Sequence, residues 1–266
     1  MKFTTVLGVD GHHLKQLALT WPTWIRHKPM LLDHPLLVFF DREQVSPNDI
    51  REVIEHDDWL CVPWPVKGVK YEGDPGDKWT DPQRCKMLSG FIHVASSFVE
   101  TEYWLKIDTD VVATGCNDWM DESWFLNNPA IISHKWTFTK PANQMELLDH
   151  WVWNNENNLP ELRVRAPLQL HPKEGSDRLG HRRIISFAGL FNTGFTEQVA
   201  KMCNDTCGPF KMPVPSQDGL MWYCATRLGW GIERVSMKSL GFQQWHNYRN
   251  IERNAKEAMN VPMAQA

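Results

Sequence analysis

The chain has 266 residues, of which 42% are hydrophobic, and carries a formal charge of −4 at pH 7. That is apolar matter enough for one large domain, without the Lys and Arg surplus by which a general nucleic-acid binder displaces counterions. No apolar run approaches the roughly 20 residues of a membrane span, and Met1 to Asp10 lacks a leader's charged start and cleavage site. The expectation is a cytoplasmic protein with no nucleic-acid partner, no transmembrane segment and room only for peripheral membrane contact.

The first half alternates strand and helix. Phe3 to Val9 reads as a strand and Asp10-Gly11 as its turn. Leu14, Leu17, Ala18, Trp21, Trp24 and Ile25 then mark one face of a helix, with a kink expected at Pro22. Leu36 to Phe40 is wholly apolar, as in a strand buried on both faces. Ser46 and Pro47 open a second helix as N-cap and first helical residue, with Ile50, Val53 and Ile54 facing inward. Trp59 to Val62 is a third strand, and Gly68 to Lys78 a Gly/Pro/Asp-rich loop. A long helix is expected from Pro82 to Glu100, where Leu88, Phe91, Ile92, Ala95, Phe98 and Val99 form one stripe. It leads into the strand Tyr103 to Ile107. Strands alternating with helices imply an α/β fold, a mostly parallel central sheet with helices on both faces.

The second half is less regular. Ala130 to Ser133, Ile184 to Phe191 and Ile232 to Val235 read as strands. Gln144 to Trp153, Thr196 to Cys203 and Gln217 to Leu228 read as helices. Asn154 to Arg183 is polar and aperiodic, either a functional loop or a solvated insertion. Arg249 to Ala266 reads as a short helix with a loose tail. Six cysteines are scattered without a paired frame and are expected to stay reduced. The 14 tryptophans suit core positions first and sugar-stacking surfaces second.

The chemistry concentrates at Asp108-Thr109-Asp110. Ligands of a parallel sheet gather beyond the carboxyl ends of its strands, which is where this motif falls. Two carboxylates there cannot both be buried and ionised without a counter-charge. Mg²⁺ or Mn²⁺ would supply it, completing its shell with phosphate oxygens and water. Asp10 and Asp41 end the first two strands and either bind a nucleoside or start turns.

The segment Tyr103 to Gly115 resembles the Asp-X-Asp region of metal-dependent glycosyltransferases with the GT-A fold. Leu190 to Phe195 is similar to that family's strand with an Asn-X-Gly core beside the sugar. Ser216 to Leu220 is similar to its acidic or amide pair opening a helix, and His246 stands where some members supply a third metal ligand. The resemblance implies a single Rossmann-like domain over residues 1–246, followed by a tail over 247–266. Residues 1–115 would be the nucleotide half and 116–246 the acceptor half, with a variable loop at 154–183.

It also implies a hexosyltransferase that moves a sugar from a UDP- or GDP-linked donor to a small-molecule, glycan or protein acceptor. Asp108 and Asp110 would hold Mn²⁺ or Mg²⁺, with Asp108 facing the ribose or the metal and His246 completing the site. Arg84 and Lys86 would hold phosphate or sugar. Asp218 would be the base of an inverting transfer, while Gln217 or Asn192 would matter in a retaining one. Asp218 could equally cap its helix, and the Gly, Lys and Trp that usually follow the family's His are absent.

Two other readings fit parts of the pattern. Ile107 to Val112 also matches the opening motif of haloacid-dehalogenase-like phosphohydrolases, with Asp108 as nucleophile. There the motif normally sits on the first strand, whereas here about a hundred residues precede it. A non-catalytic nucleotide-sugar-binding protein is the third. Asp108, Asp110 and Asp218 occurring together favour catalysis.

Overall fold

The computed structural model describes residues 2–64, 97–115, 120–139, 180–207, 228–235 and 241–261, with positions 95, 221, 224 and 225. The strands are β1 (Phe3–Val9), β2 (Leu36–Phe40), β3 (Trp59–Pro63), β4 (Tyr103–Ile107), β5 (Val111–Ala113), β6 (Ile131–Thr139), β7 (Gly180–Asn192), β8 (Ile232–Val235) and β9 (Phe242–Gln244). The helices are α1 (Gly11–His27), α2 (Pro47–Arg51), α3 (Thr193–Cys207) and α4 (Tyr248–Asn260).

Among the described residues, seven strands form one sheet in the order β3-β2-β1-β4-β7-β6-β8, and β5 and β9 form a separate ribbon. β1 to β4 are mutually parallel, β7 runs antiparallel between β4 and β6, and β8 is parallel to β6. The α/β fold with a mostly parallel sheet is therefore as the alternation implies. β7 is the single reversed strand of the large sheet.

Strand alternation divides the core between two faces. Phe3, Leu7, Val9, Val38, Leu105 and Ile107 share one buried cluster with Leu17, Trp21 and Trp24 of α1. On the other face Trp104 stacks on Phe191 with centroids 4.8 Å apart, and its Nε1 donates to Thr196 Oγ1 of α3 at 3.1 Å. Helices thus cover both sides.

Several elements differ from the sequence expectation. α2 ends at Arg51, so only Ile50 of its expected inner face lies within the helix, although Ile54 is buried just beyond it. Its start is a full capping box between Ser46 and Asp49. β7 begins at Gly180, which turns the last residues of the polar 154–183 stretch into strand. α3 starts at Thr193 rather than Thr196, because the Asn192 side chain accepts from Phe195 N at 3.1 Å and caps it. Pro22 sits inside a helix that continues to His27. The loop at 68–78, the helix at 144–153, and most of the helices expected at 82–100 and 217–228 lie outside the described residues.

α4 folds back onto α1. Its Ile251, Ala255 and Ala258 are buried with Val112 of β5 in a second small cluster. His27 Nε2 lies 2.9 Å from the Ala258 carbonyl, and Arg26 donates to the Val261 carbonyl at 3.1 Å.

Candidate active site

The order of the sheet reverses between β1 and β4. The chain runs outward from β1 through β2 to β3, then crosses back to β4 on the other side of β1. The crevice beyond the carboxyl ends of these two strands is the natural ligand site of such a sheet. Asp10 follows β1 and Asp108 follows β4, so both border it.

α1 fixes the backbone of the Asp-X-Asp turn. The central Thr109 is buried and its Oγ1 donates to Gln16 Oε1 at 2.8 Å, while Thr20 Oγ1 donates to the Thr109 carbonyl at 2.8 Å. Trp24 Nε1 donates to the Val111 carbonyl at 2.6 Å, and Ala113 N donates to Thr23 Oγ1 at 3.1 Å. The turn closes through Val111 N donating to the Asp108 carbonyl at 3.1 Å. Polar residues on the inner side of α1 thereby satisfy the turn's buried backbone. With Thr109 turned into α1, the flanking carboxylates are left at the crevice.

The β5–β9 ribbon brings the far end of the chain to the same place. Val111 pairs with Gln244, and Trp245 N donates to the Asp110 carbonyl at 3.0 Å. Gln244 Nε2 then donates to Asp110 Oδ1 at 3.0 Å and to Asp108 Oδ2 at 3.3 Å. His246 Nδ1 lies 3.0 Å from Asp110 Oδ2. The remaining oxygen, Asp108 Oδ1, accepts from Lys106 Nζ. All four carboxylate oxygens thus face a donor from the chain itself, in the sequence Lys106, Asp108, Gln244, Asp110, His246. Gln244 and Lys106 escaped the sequence reading. Lys106 had a visible signal, since residues two apart on a strand share a face. Gln244 had none.

Lys106 also corrects one step of that reading. The acidic pair has a monovalent counter-charge of its own, so its burial does not by itself demand a divalent cation. The donor set nonetheless suits one: carboxylate oxygens from two residues converge on a single amide nitrogen, and an imidazole stands beside them. Among the described residues, no group of three or more His, Cys, Asp or Glu side chains closes around a point. Asp108, Asp110 and His246 are therefore an open edge rather than a cage. A cation there would take its other oxygens from water or a bound phosphate.

Asp10 caps α1, with Oδ1 accepting from His12 N at 2.9 Å and His13 N at 2.8 Å. His13 Nδ1 lies 2.8 Å from the same oxygen. Burial alone would raise the Asp10 carboxyl, but these hydrogen bonds and the His13 charge bring it down to about 2. Burial likewise opposes protonation of His13. The adjoining Asp10 carboxylate, helped by Asp108 and Asp110, outweighs it and raises the imidazole above its ordinary value. Asp41 accepts from Glu43 N at 3.0 Å and from Gln44 Nε2 at 2.6 Å, and so caps the turn after β2.

Asn192 does not join this site. It pairs with Tyr103 at the start of β4, whereas Ala188 is the residue beside Ile107. Four residues of strand, about 13 Å, separate it from the carboxyl end. There it is buried, donating to Asn128 Oδ1 at 2.8 Å and capping α3. The part of β7 that does reach the site is irregular, because its register with β6 shifts between Ser133 and His134. Bulges of this kind recur beside active sites. Arg84, Lys86, Gln217 and Asp218 lie outside the described residues.

No family model matches the chain, and no curated protein matches it in sequence. Solved structures do share its fold. Core-mannan synthase A from Aspergillus fumigatus, in its Mn/GDP form, aligns over 87% of this chain and 70% of its own with TM-score 0.54 and 12% identity. The galactosyltransferase LgtC, in complex with donor and acceptor sugar analogs, aligns over 98% of both chains with TM-score 0.54 and 9% identity. A candidate glucose-1-phosphate thymidylyltransferase from Bacillus anthracis aligns over 100% of this chain and 98% of its own, with TM-score 0.51 and 9% identity. The chain has the GT-A-type fold found in nucleotide-sugar glycosyltransferases.

Proposed function

We propose that this protein is a metal-dependent glycosyltransferase that moves a hexose from a UDP- or GDP-linked donor to an acceptor hydroxyl. The observation that carries the reading is the gathering of Asp108, Asp110, Gln244 and His246 at the carboxyl end of β4, at the sheet's switch point. In this reading Asp108 and Asp110 hold Mn²⁺ or Mg²⁺ against the donor diphosphate, with His246 beside Asp110. The ion, when bound, neutralises charge that develops on the leaving nucleoside diphosphate. Asp10 and the start of α1 border the nucleoside. Asp218 remains the candidate base, and Arg84 and Lys86 the candidate phosphate or sugar contacts. No helix among the described residues is long and apolar enough to cross a membrane, and the proposed setting is the cytoplasm. The fold's likeness to the Bacillus protein supports nucleotidyl transfer as a second reading. Phosphohydrolysis with Asp108 as nucleophile has no support in this sheet order, where the motif strand is preceded by three others.

The test is thermal unfolding against a panel of nucleotides and nucleotide-sugars, with and without Mn²⁺. A ligand that binds only the folded state stabilises by about 2.7 kcal/mol at a hundredfold excess over its Kd. For a chain of this size that raises Tm by roughly 5–10 °C. The rise should require Mn²⁺ and should vanish in Asp110→Ala. An unchanged rise in that variant would remove the metal from the proposal. Hydrolysis of the selected nucleotide-sugar to the nucleoside diphosphate supports sugar transfer. Release of pyrophosphate from a nucleoside triphosphate and a sugar phosphate supports the second reading.

A further inference from the structure

Lys106 lies in the crevice as a cation already paired with the motif. Its Nζ contacts Asp108 Oδ1, and its side chain is only 14% exposed against 35% for Asp108. It reaches that position because Lys106 on β4 and Asp108 just beyond it are two residues apart along an extended strand. The chain then continues through the Gln244 amide to Asp110, whose side chain is 12% exposed, and ends at His246, which is 82% exposed. The inner end of the network is therefore held by a shielded charge, and the outer end by a side chain that lies mostly in solvent.

We infer that Lys106 is a positioning residue that sets the metal affinity of the motif, holding Asp108 against a free divalent cation so that the ion is captured together with a diphosphate. This inference rests on the metal-dependent reading above. The physical argument is competition. A cation approaching Asp108 must share a carboxylate with an ammonium that water screens poorly, and like charges a few ångströms apart in such a site repel strongly. At Asp110 it displaces only an amide dipole and the exposed His246. A diphosphate changes the balance twice over, because its oxygens complete the ion's shell and its negative charge draws the Lys106 ammonium away from Asp108.

The experiment is Mn²⁺ binding to wild type, Lys106→Met and Lys106→Arg, followed by the loss of the free-ion paramagnetic resonance signal, first without nucleotide and then with UDP or GDP. Met keeps the length and apolar stem of Lys, so the strand should hold. Circular dichroism and a urea midpoint confirm that each variant is folded, and Lys106→Gln serves if Met is not. The expected result is that Mn²⁺ alone binds Lys106→Met at least tenfold more tightly than wild type, while Lys106→Arg stays near wild type. The advantage of adding nucleoside diphosphate should shrink in Lys106→Met. An unchanged or weaker Mn²⁺ affinity in Lys106→Met, with nucleotide-dependent capture intact in wild type, would overturn the role of Lys106 and leave the transferase reading standing. No Mn²⁺ binding by any form, with or without nucleotide, would overturn both.

Discussion

Gly241 is the residue on which the second half of the site hangs, and replacing it tests that dependence. Its φ is +82°, a left-handed conformation that glycine adopts freely and L side chains do not. A Cβ built there would fall inside the contact distance of the Thr114 and Gly115 carbonyl oxygens. Both are backbone atoms, and the strands are already joined by Thr114 N donating to the Gly241 carbonyl at 2.6 Å. Gly241→Ala should cost about 1–2 kcal/mol for the left-handed backbone and about 1–3 kcal/mol for the overpacking. A total of about 2–5 kcal/mol corresponds to a fall in Tm of at least about 4 °C. The chain can relieve the clash only by parting β9 from β5, which withdraws Gln244 and His246 from the carboxylates. Metal-dependent stabilisation by nucleoside diphosphate should therefore weaken beyond the loss of stability itself. The assay is urea unfolding paired with the Mn²⁺-nucleotide thermal shift. Gly231→Ala is the control, because a Cβ there meets nothing closer than the Pro129 Cα at 3.8 Å. A Gly241→Ala protein within about 0.5 kcal/mol of wild type, the range of an ordinary surface change, would refute the reasoning.

Two further outcomes follow from the same geometry. Trp24→Phe removes the donor to the Val111 carbonyl within a fully buried site, and should destabilise by about 1–3 kcal/mol in urea unfolding; no change would mean that water satisfies that carbonyl. Asp10→Asn keeps the α1 cap but discharges the pair with His13. The Asp10 carboxyl is lowered from 3.8 to about 2, so its contribution is present above pH 3.8 and lost as pH falls toward 2. The His13 imidazole is raised from 6.5, so its contribution is present below pH 6.5 and lost as pH climbs through the raised value. The Tm gap between wild type and Asp10→Asn should therefore be widest from about pH 4 to 6.5. With His13 half exposed, screening keeps the underlying stability difference to about 1 kcal/mol or less. A gap that does not vary with pH would show that the pair contributes nothing.

What the sequence alone determined is local. Phe3–Val9, Leu36–Phe40 and Tyr103–Ile107 are strands with the bounds their largely apolar runs imply, because burial on a central sheet demands such runs and an Asp follows each of them. The placement of Asp108 and Asp110 at a carboxyl end follows from the same pattern. Lys106 was legible in principle, through the two-residue period of its strand. Only the tertiary structure decided which residues complete the site. β5 and β9 have three residues each, too few for any period to show, yet their pairing sets Gln244 and His246 on Asp110 across 134 and 136 residues of chain. Asn192 shows the converse. Its short motif resembled a sugar-site strand, but β7 runs antiparallel to β4, and that direction carries Asn192 to the opposite end of the sheet. A motif records residue types and spacing. Strand direction and long-range register depend on contacts between distant parts of the chain, which no local pattern encodes.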